Sequence, residues 1–292
     1  MIQRTPLLER AFLEKLEWLT LHWQKSFPGL VGGHNASRFA GSGQEFLDHR
    51  NFHHGDDLRA VNWRAYMRLE KMFLKMFQVE PRVPVRLLID ASDSMSEEKF
   101  DYARRLAGAL CYVGLVRHDT MELNPFAGKL GVRFFATGGR HRFSSVVTCL
   151  ETLKREGRTD FMRVVRDFIS SYSQKGLVVI LSDFLDEAGC EKPLQYLADF
   201  GHEVHLIQLW SDEDRTPPWI GELDLEDAET HKMLRLQFDE GAQARYTLAF
   251  DEYCQSLRHI AMRSGGRYLG IPTSLPLEEA VFGSMVRAGS VA

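Results

Sequence analysis

The sequence predicts an α/β protein built on a mainly parallel sheet, and three observations carry that prediction. From Lys71 onward, short apolar β-like runs alternate with stretches of helical periodicity, the pattern of strands joined by right-handed crossover helices. Residues 177–181 form an unbroken apolar run, as a strand covered on both faces requires. The length of 292 residues suffices for one large α/β domain with an appendage.

Taken in order, Leu8, Phe12, Leu16, Leu19 and Trp23 recur at helical spacing with charges between them, which predicts an amphipathic helix over 7–25. Residues 28–43 turn to Gly, Ser, Asn and His and read as a loop. It is no phosphate cradle, because the G-x-x-x-x-G-K-[ST] order is missing and no Lys stands between Lys25 and Lys71. Strands follow at 72–79 and 85–89, separated by Pro81 and Pro84. Phe100, Ala103, Leu106, Ala107, Leu110 and Val113 give a helix with a broad apolar face. A strand at 121–126, a hairpin partner at 130–135, helices near 143–154 and 160–174 and the strand 177–181 come next. A short helix near 191–200 and a strand at 204–210 precede a break in the rhythm. There Asp212, Glu213, Asp214, Glu222, Asp224, Glu226, Asp227 and Glu229 crowd together, and 233–238 alternates like a strand, so about 211–240 reads as an inserted β-hairpin. The acidic run itself reads as a solvated face. A helix over 247–263 and a strand at 268–271 end the alternation. The expected division is an N-terminal region, 1–80, and a sheet domain, 81–292.

Composition excludes several classes of function. Lys and Arg number 36 against 40 Asp and Glu, a net charge of −4, which offers no general attraction to nucleic acid or anionic lipid. Cys111, Cys149, Cys190 and Cys254 stand far apart in apolar or amphipathic stretches, as reduced core residues do, so a reducing, cytoplasmic setting is expected. Glu9, Glu14 and Glu17 interrupt the apolar residues of the N-terminus, unlike a secretory signal. No segment approaches the roughly 20 apolar residues of a membrane helix, so no membrane insertion is expected.

Polar residues just beyond the carboxyl ends of parallel strands carry the functional expectation, because ligands gather there. The run 85–89 ends in Asp90-Ala-Ser92-Asp-Ser94, and 177–181 ends in Ser182-Asp183. Between them stands the turn Gly157-Arg-Thr159-Asp160. Asp90, Ser92, Ser94, Thr159 and Asp183 together suit a small hard cation, Mg²⁺ or Mn²⁺, which prefers oxygen ligands. Two carboxylates leave a dication electrophilic, and an incoming carboxylate could complete its sphere without any bond breaking. Helix capping is the plain alternative: a Ser or Asp ahead of Glu97 and Glu98 would cap the next helix, Ser96 would do so alone, and Thr159 by itself reads better as a cap.

D-x-S-x-S at a strand end, Thr in a G-x-T-D turn and Asp ending a later strand together resemble the metal-ion-dependent adhesion site of von Willebrand factor A domains, with all five positions present. Upstream, Gly43-x-Glu45-Phe46, Arg50 and Gly55-Asp56-Asp57-x-Arg59-x-x-x-Trp63-Arg64 resemble the bacterial family called domain of unknown function 58, which carries such a domain. The resemblance runs from about Arg38 to near the C-terminus and includes Leu223-x-Leu225-Glu226-Asp227-Ala228-Glu229. It implies a doubly wound, Rossmann-like von Willebrand factor A fold with an N-terminal extension, a bound Mg²⁺ or similar ion, and partnership with a MoxR-type AAA+ ATPase in complex assembly or chaperoning. The function expected is therefore non-enzymatic protein binding. The competing class is a phosphatase of the haloacid-dehalogenase type with Asp90 as nucleophile, but such enzymes want a second Asp two residues on, where Ser92 stands. In the upstream motif, with His53 and His54 beside it, a structural loop is expected: Arg59 and Arg64 pairing Asp56 and Asp57, and Trp63 packed inward.

Overall fold

The computed structural model describes residues 6–22, 45–53, 56, 58, 61–78, 83–186, 188–263 and 265–291, of which 45–48 and 75–78 by backbone alone. Trp23, the loop 28–43, His54, Gly55, Asp57, Arg59, Val79 and Pro81 lie outside the described residues. The chain divides into two compact units, Met1–Lys25 with Pro84–Ala292, and Ser26–Val83.

The larger unit is organised by a six-stranded sheet. Its strands are β3 (Pro84–Asp90), β4 (Thr120–Phe126), β5 (Phe134–Ala136), β6 (Leu177–Ser182), β7 (Glu203–Trp210) and β10 (Arg267–Pro272), in the order β10-β7-β6-β3-β4-β5. Every pairing is parallel except β4 with β5. Period-two alternation sorts β3 onto two faces. Val85, Leu87 and Ile89 enter a core with α3 (Glu97–Val116) and α4 (Phe143–Thr152), while Leu88 enters a second core with α5 (Phe161–Ser171), α6 (Glu191–Asp199) and α8 (Glu240–Arg263). Helices therefore cover both faces, which makes the sheet doubly wound. The order of strands reverses between β3 and β6, the switch point at whose carboxyl ends doubly wound sheets generally gather their ligands.

Several elements differ from their expected bounds for physical reasons. The N-terminal helix, α1, spans only Arg10–Leu16; beyond it Leu19 and Leu21 are buried two residues apart in a non-helical segment, with Leu21 bridged to Val291. Leu130 makes only an isolated bridge to Phe126, and β5 begins at Phe134. Helix α8 starts at Glu240, where the Asp239 carboxylate accepts from Ala242 N at 2.6 Å; its buried residues are Leu257, Ile260 and Ala261, so the first half carries no apolar periodicity to read. A short α7 (Asp212–Arg215) is closed by a capping box on Ser211, and α9 (Leu277–Glu279) runs into a π-helical stretch, Ala280–Met285, that packs on the α3 face. The inserted hairpin is present as β8 (Gly221–Glu226) paired antiparallel with β9 (Met233–Phe238).

In the smaller unit β1 (Glu45–Asn51) pairs antiparallel with β2 (Phe73–Gln78), with α2 (Trp63–Leu69) between them in sequence. Asp56 is gripped bidentately by Arg50 at 2.7 and 2.8 Å, because the strand end brings Arg50 alongside, while Arg59 and Asp57 of the expected pairing lie outside the described residues. One expectation is corrected here. Trp63 is 53 % exposed and makes an edge contact with Tyr66 one turn on, since it opens a helix with no buried residue.

All four cysteines are free, and burial raises each thiol above its ordinary pKa. Among the described residues no helix is long and apolar enough to cross a membrane.

Candidate metal site at the switch point

Strands β3 and β6 lie side by side, with Ile89 opposite Leu181, so the residues that follow them emerge together at the rim. Asp90 is 1 % exposed. Its Oδ1 accepts from Ser92 N at 3.0 Å and its Oδ2 from Ser182 Oγ at 2.5 Å. The Ser92 and Ser94 hydroxyls meet at 2.9 Å, and Ser94 Oγ donates to Asp183 Oδ1 at 3.4 Å. Asp90, Ser92, Ser94 and Asp183 thus form one hydrogen-bonded chain, joined at its first step through the Ser92 N–H and beyond it through hydroxyl oxygens. Capping does not account for it. Ser96 alone caps α3, accepting from Lys99 N at 3.3 Å, and Asp160 caps α5, accepting from Arg163 N at 2.9 Å.

Backbone bonds hold the 91–95 and 156–160 loops against each other: Glu156 N donates to Ala91 O, Asp93 N to Gly157 O, and Gly157 N to the Asp93 carboxylate at 3.0 Å. Gly157 has φ of 84°, a left-handed conformation that favours glycine and turns Thr159 toward the rim. Thr159, released from capping, does not bond the other four oxygens. Its N–H and hydroxyl both donate to Glu229 Oε1, each at 3.1 Å, from the turn of the β8–β9 hairpin. On the other flank Phe184 sits at φ of 61°, a conformation costing a bulky residue about 1–3 kcal/mol. It is held by Phe184 N donating to Ser182 Oγ at 2.8 Å, by the Tyr253 hydroxyl donating to Phe184 O, and by a stacked Phe161 ring at 5.7 Å. That bend lets Asp183 Oδ1 also accept from Leu185 N at 3.1 Å.

The electrostatics are lopsided. Burial first, and the Asp183 charge second, push the Asp90 carboxyl up to about 7, against hydrogen bonds from Ser182 and Ser92 that pull it down. Among the described residues no Lys, Arg or His forms an ion pair with Asp90. Asp183 has such a partner: Lys99 Nζ lies 2.8 Å from its Oδ2 and 3.2 Å from Asp214 Oδ2. Burial lowers the Lys99 pKa, but the Asp183 and Asp214 charges outweigh it and the net shift is upward. Burial also raises the Glu229 carboxyl, with Asp183 adding to the rise.

Sequence reasoning did not single out Lys99, Ser182 or Glu229. Lys99 stands as a lone cation straight after Glu97 and Glu98 beside the D-x-S-x-S turn, and that was its one signal. Glu229 and Asp214 were hidden in an acidic run read as solvated. Among the described residues no three His, Cys, Asp or Glu side chains converge as a metal cluster, so a cation held here would rely on hydroxyls beside two carboxylates. The donors fit a hard divalent ion on one observation: a fully buried carboxylate short of positive charge faces a row of hydroxyl oxygens.

Comparison with known proteins gives a family match and distant structural likenesses. The family described as "Protein of unknown function DUF58" matches residues 48–255. An uncharacterized protein of Mycobacterium tuberculosis is 24 % identical over 232 residues, covering 77 % of this chain and 73 % of that one. The crystal structure of the conserved hypothetical protein BatB from Bacteroides thetaiotaomicron is similar at 16 % identity and a TM-score of 0.42, covering 71 % of this chain and 98 % of that one. The SpRpn10 VWA domain is similar at 11 % identity and a TM-score of 0.38, covering 68 % of this chain and 93 % of that one.

Proposed function

The chain belongs to the DUF58 family, and on that premise, with the geometry of the rim, we propose a non-enzymatic module that uses a divalent cation to bind an acidic group of a partner protein. The observation that carries this reading is Asp90, a buried carboxylate without a cationic partner among the described residues, placed where the strand order reverses and facing Ser92 and Ser94. Asp90, Ser92, Ser94, Thr159 and Asp183 would hold Mg²⁺ or Mn²⁺, which would supply a positive centre able to accept one further carboxylate.

The chain's own groups prepare that seat. Ser182 and the Ser92 N–H fix both oxygens of Asp90. Lys99 orients Asp183 and balances its charge, so the rim is not left with every carboxylate exposed to its neighbours. Binding rather than turnover is supported two residues on from Asp90, where a phosphatase of the competing class would need an acid and Ser92 stands. The family resemblance makes a MoxR-type AAA+ ATPase the partner to look for, and the four protonated thiols agree with a reducing compartment such as the cytoplasm.

The test is co-purification from the native cell using the full chain and Asp90→Asn. The expected result is an AAA+ ATPase retained by the wild type in Mg²⁺ and released by chelator, with none retained by the variant. Equal retention with and without chelator would sink the metal-dependent grip, while metal-dependent retention of a different protein would replace the partner and keep the mechanism.

A further inference from the structure

The inserted hairpin is an arm fastened at its two ends. Along β8 and β9 most residues are exposed, including Leu225, Met233 and Leu234, and within the two strands Phe238, at the base, is the buried residue. The tip is a rigid turn: Asp227 Oδ1 accepts from Glu229 N at 3.2 Å, from Thr230 N at 2.6 Å and from Thr230 Oγ1 at 2.7 Å, and His231 closes the turn at φ of 56°. From this turn Glu229 reaches Thr159. Its side chain is 9 % exposed, whereas that of Glu226 on the same hairpin is 57 % exposed. A carboxylate has thus been drawn out of water and laid on one of the five rim residues.

We infer that Glu229 is a tethered internal ligand, which occupies the Thr159 seat and holds the rim closed until a partner's carboxylate displaces it. The inference rests on the reading of the rim as a carboxylate grip. Two features suit Glu229 to that role. It has the chemistry of the expected ligand. It is anchored by two bonds from neutral donors and by Arg158 Nε at 3.8 Å, a hold that a better-placed carboxylate can replace. An arm with little buried apolar contact swings away at small cost.

The test uses the full chain in Mg²⁺ and a fluorescent, end-blocked hexapeptide whose one charged residue is a Glu, with the Gln version of the peptide as control. Glu229→Ala and Glu229→Gln should each bind the Glu peptide about ten-fold tighter than wild type, the ratio expected if the arm is closed roughly 90 % of the time. Asp224→Ala, which removes an exposed hairpin carboxylate, should bind as wild type does. The peptide should also speed hydrogen exchange of residues 221–238 in the wild type. If Mg²⁺ raises the melting temperature of wild type and Glu229→Ala but neither Glu229 variant binds the peptide more tightly, the tethered ligand is wrong and the metal site stands. If Mg²⁺ shifts neither protein, both readings fall.

Discussion

Strand β3 buries charge near both of its ends, and the two ends are built on opposite terms. Toward its start, Arg86 donates to Glu122 Oε2 at 3.2 Å and to Gln174 O at 2.9 Å, with the Tyr172 ring 4.6 Å from its guanidinium carbon. Arg133 closes the other Glu122 oxygen at 3.0 Å. Each oxygen of Glu122 thus meets a cation within the protein. At the far end Lys99 pairs with Asp183 and Asp214 and Arg158 with Glu229, while Asp90 pairs with no cation among the described residues. Both clusters lie along one strand, under comparable burial, so desolvation alone does not distinguish them. What differs is that Glu122 meets a cation on each oxygen whereas Asp90 meets none among the described residues, and under the proposed function a cation from solution would supply the missing charge there.

The comparison can be broken by removing a cation from each end. Arg86→Met should cost about 3–5 kcal/mol in urea unfolding, because Glu122 is left buried with a half-exposed partner, and Mg²⁺ should not restore it. Lys99→Met should cost a similar amount, about 3–5 kcal/mol, in the absence of metal, but Mg²⁺ should recover part of it. Equal behaviour of the two variants toward Mg²⁺ would erase the distinction. An effect of comparable size concerns pH. The Asp90 carboxyl rises from 3.8 to about 7 on folding, so the folded chain keeps a proton that the unfolded chain has released. Stability of the metal-free protein should therefore fall as pH rises from 3.8 to about 7 and then level off, and Asp90→Asn should lose that part of the slope. Smallest of all, Arg133→Ala removes a partner that is 47 % exposed and should cost at most about 1 kcal/mol.

The alternation of elements was legible because β6 and β3 are buried on both faces and α5 carries a clear apolar stripe, so burial wrote its period into the sequence. It failed where burial is absent or irregular. The first half of α8 is solvent-facing, the segment after α1 buries Leu19 and Leu21 without a helix, and the π-helical stretch has no simple period. At the rim, Asp90, Ser92, Ser94 and Asp183 were readable because each lies within a few residues of a strand end. Lys99 and Glu229 were not, since the contacts that make them matter join positions 84 and 70 residues apart in sequence. A long-range pairing of this kind leaves no local pattern, so the 223–229 segment carries its family resemblance without showing that Glu229 reaches Thr159.

The central claim is that the carboxyl end of the sheet lacks a positive charge which a divalent ion supplies. Calorimetric titration of Mg²⁺ into the metal-free full chain and into Asp90→Asn, at a pH above 7, tests it directly. A saturable binding isotherm in the wild type, with a matching rise in melting temperature and neither seen in the variant, is the predicted result. No heat in the wild type, or the same isotherm in both proteins, would contradict it.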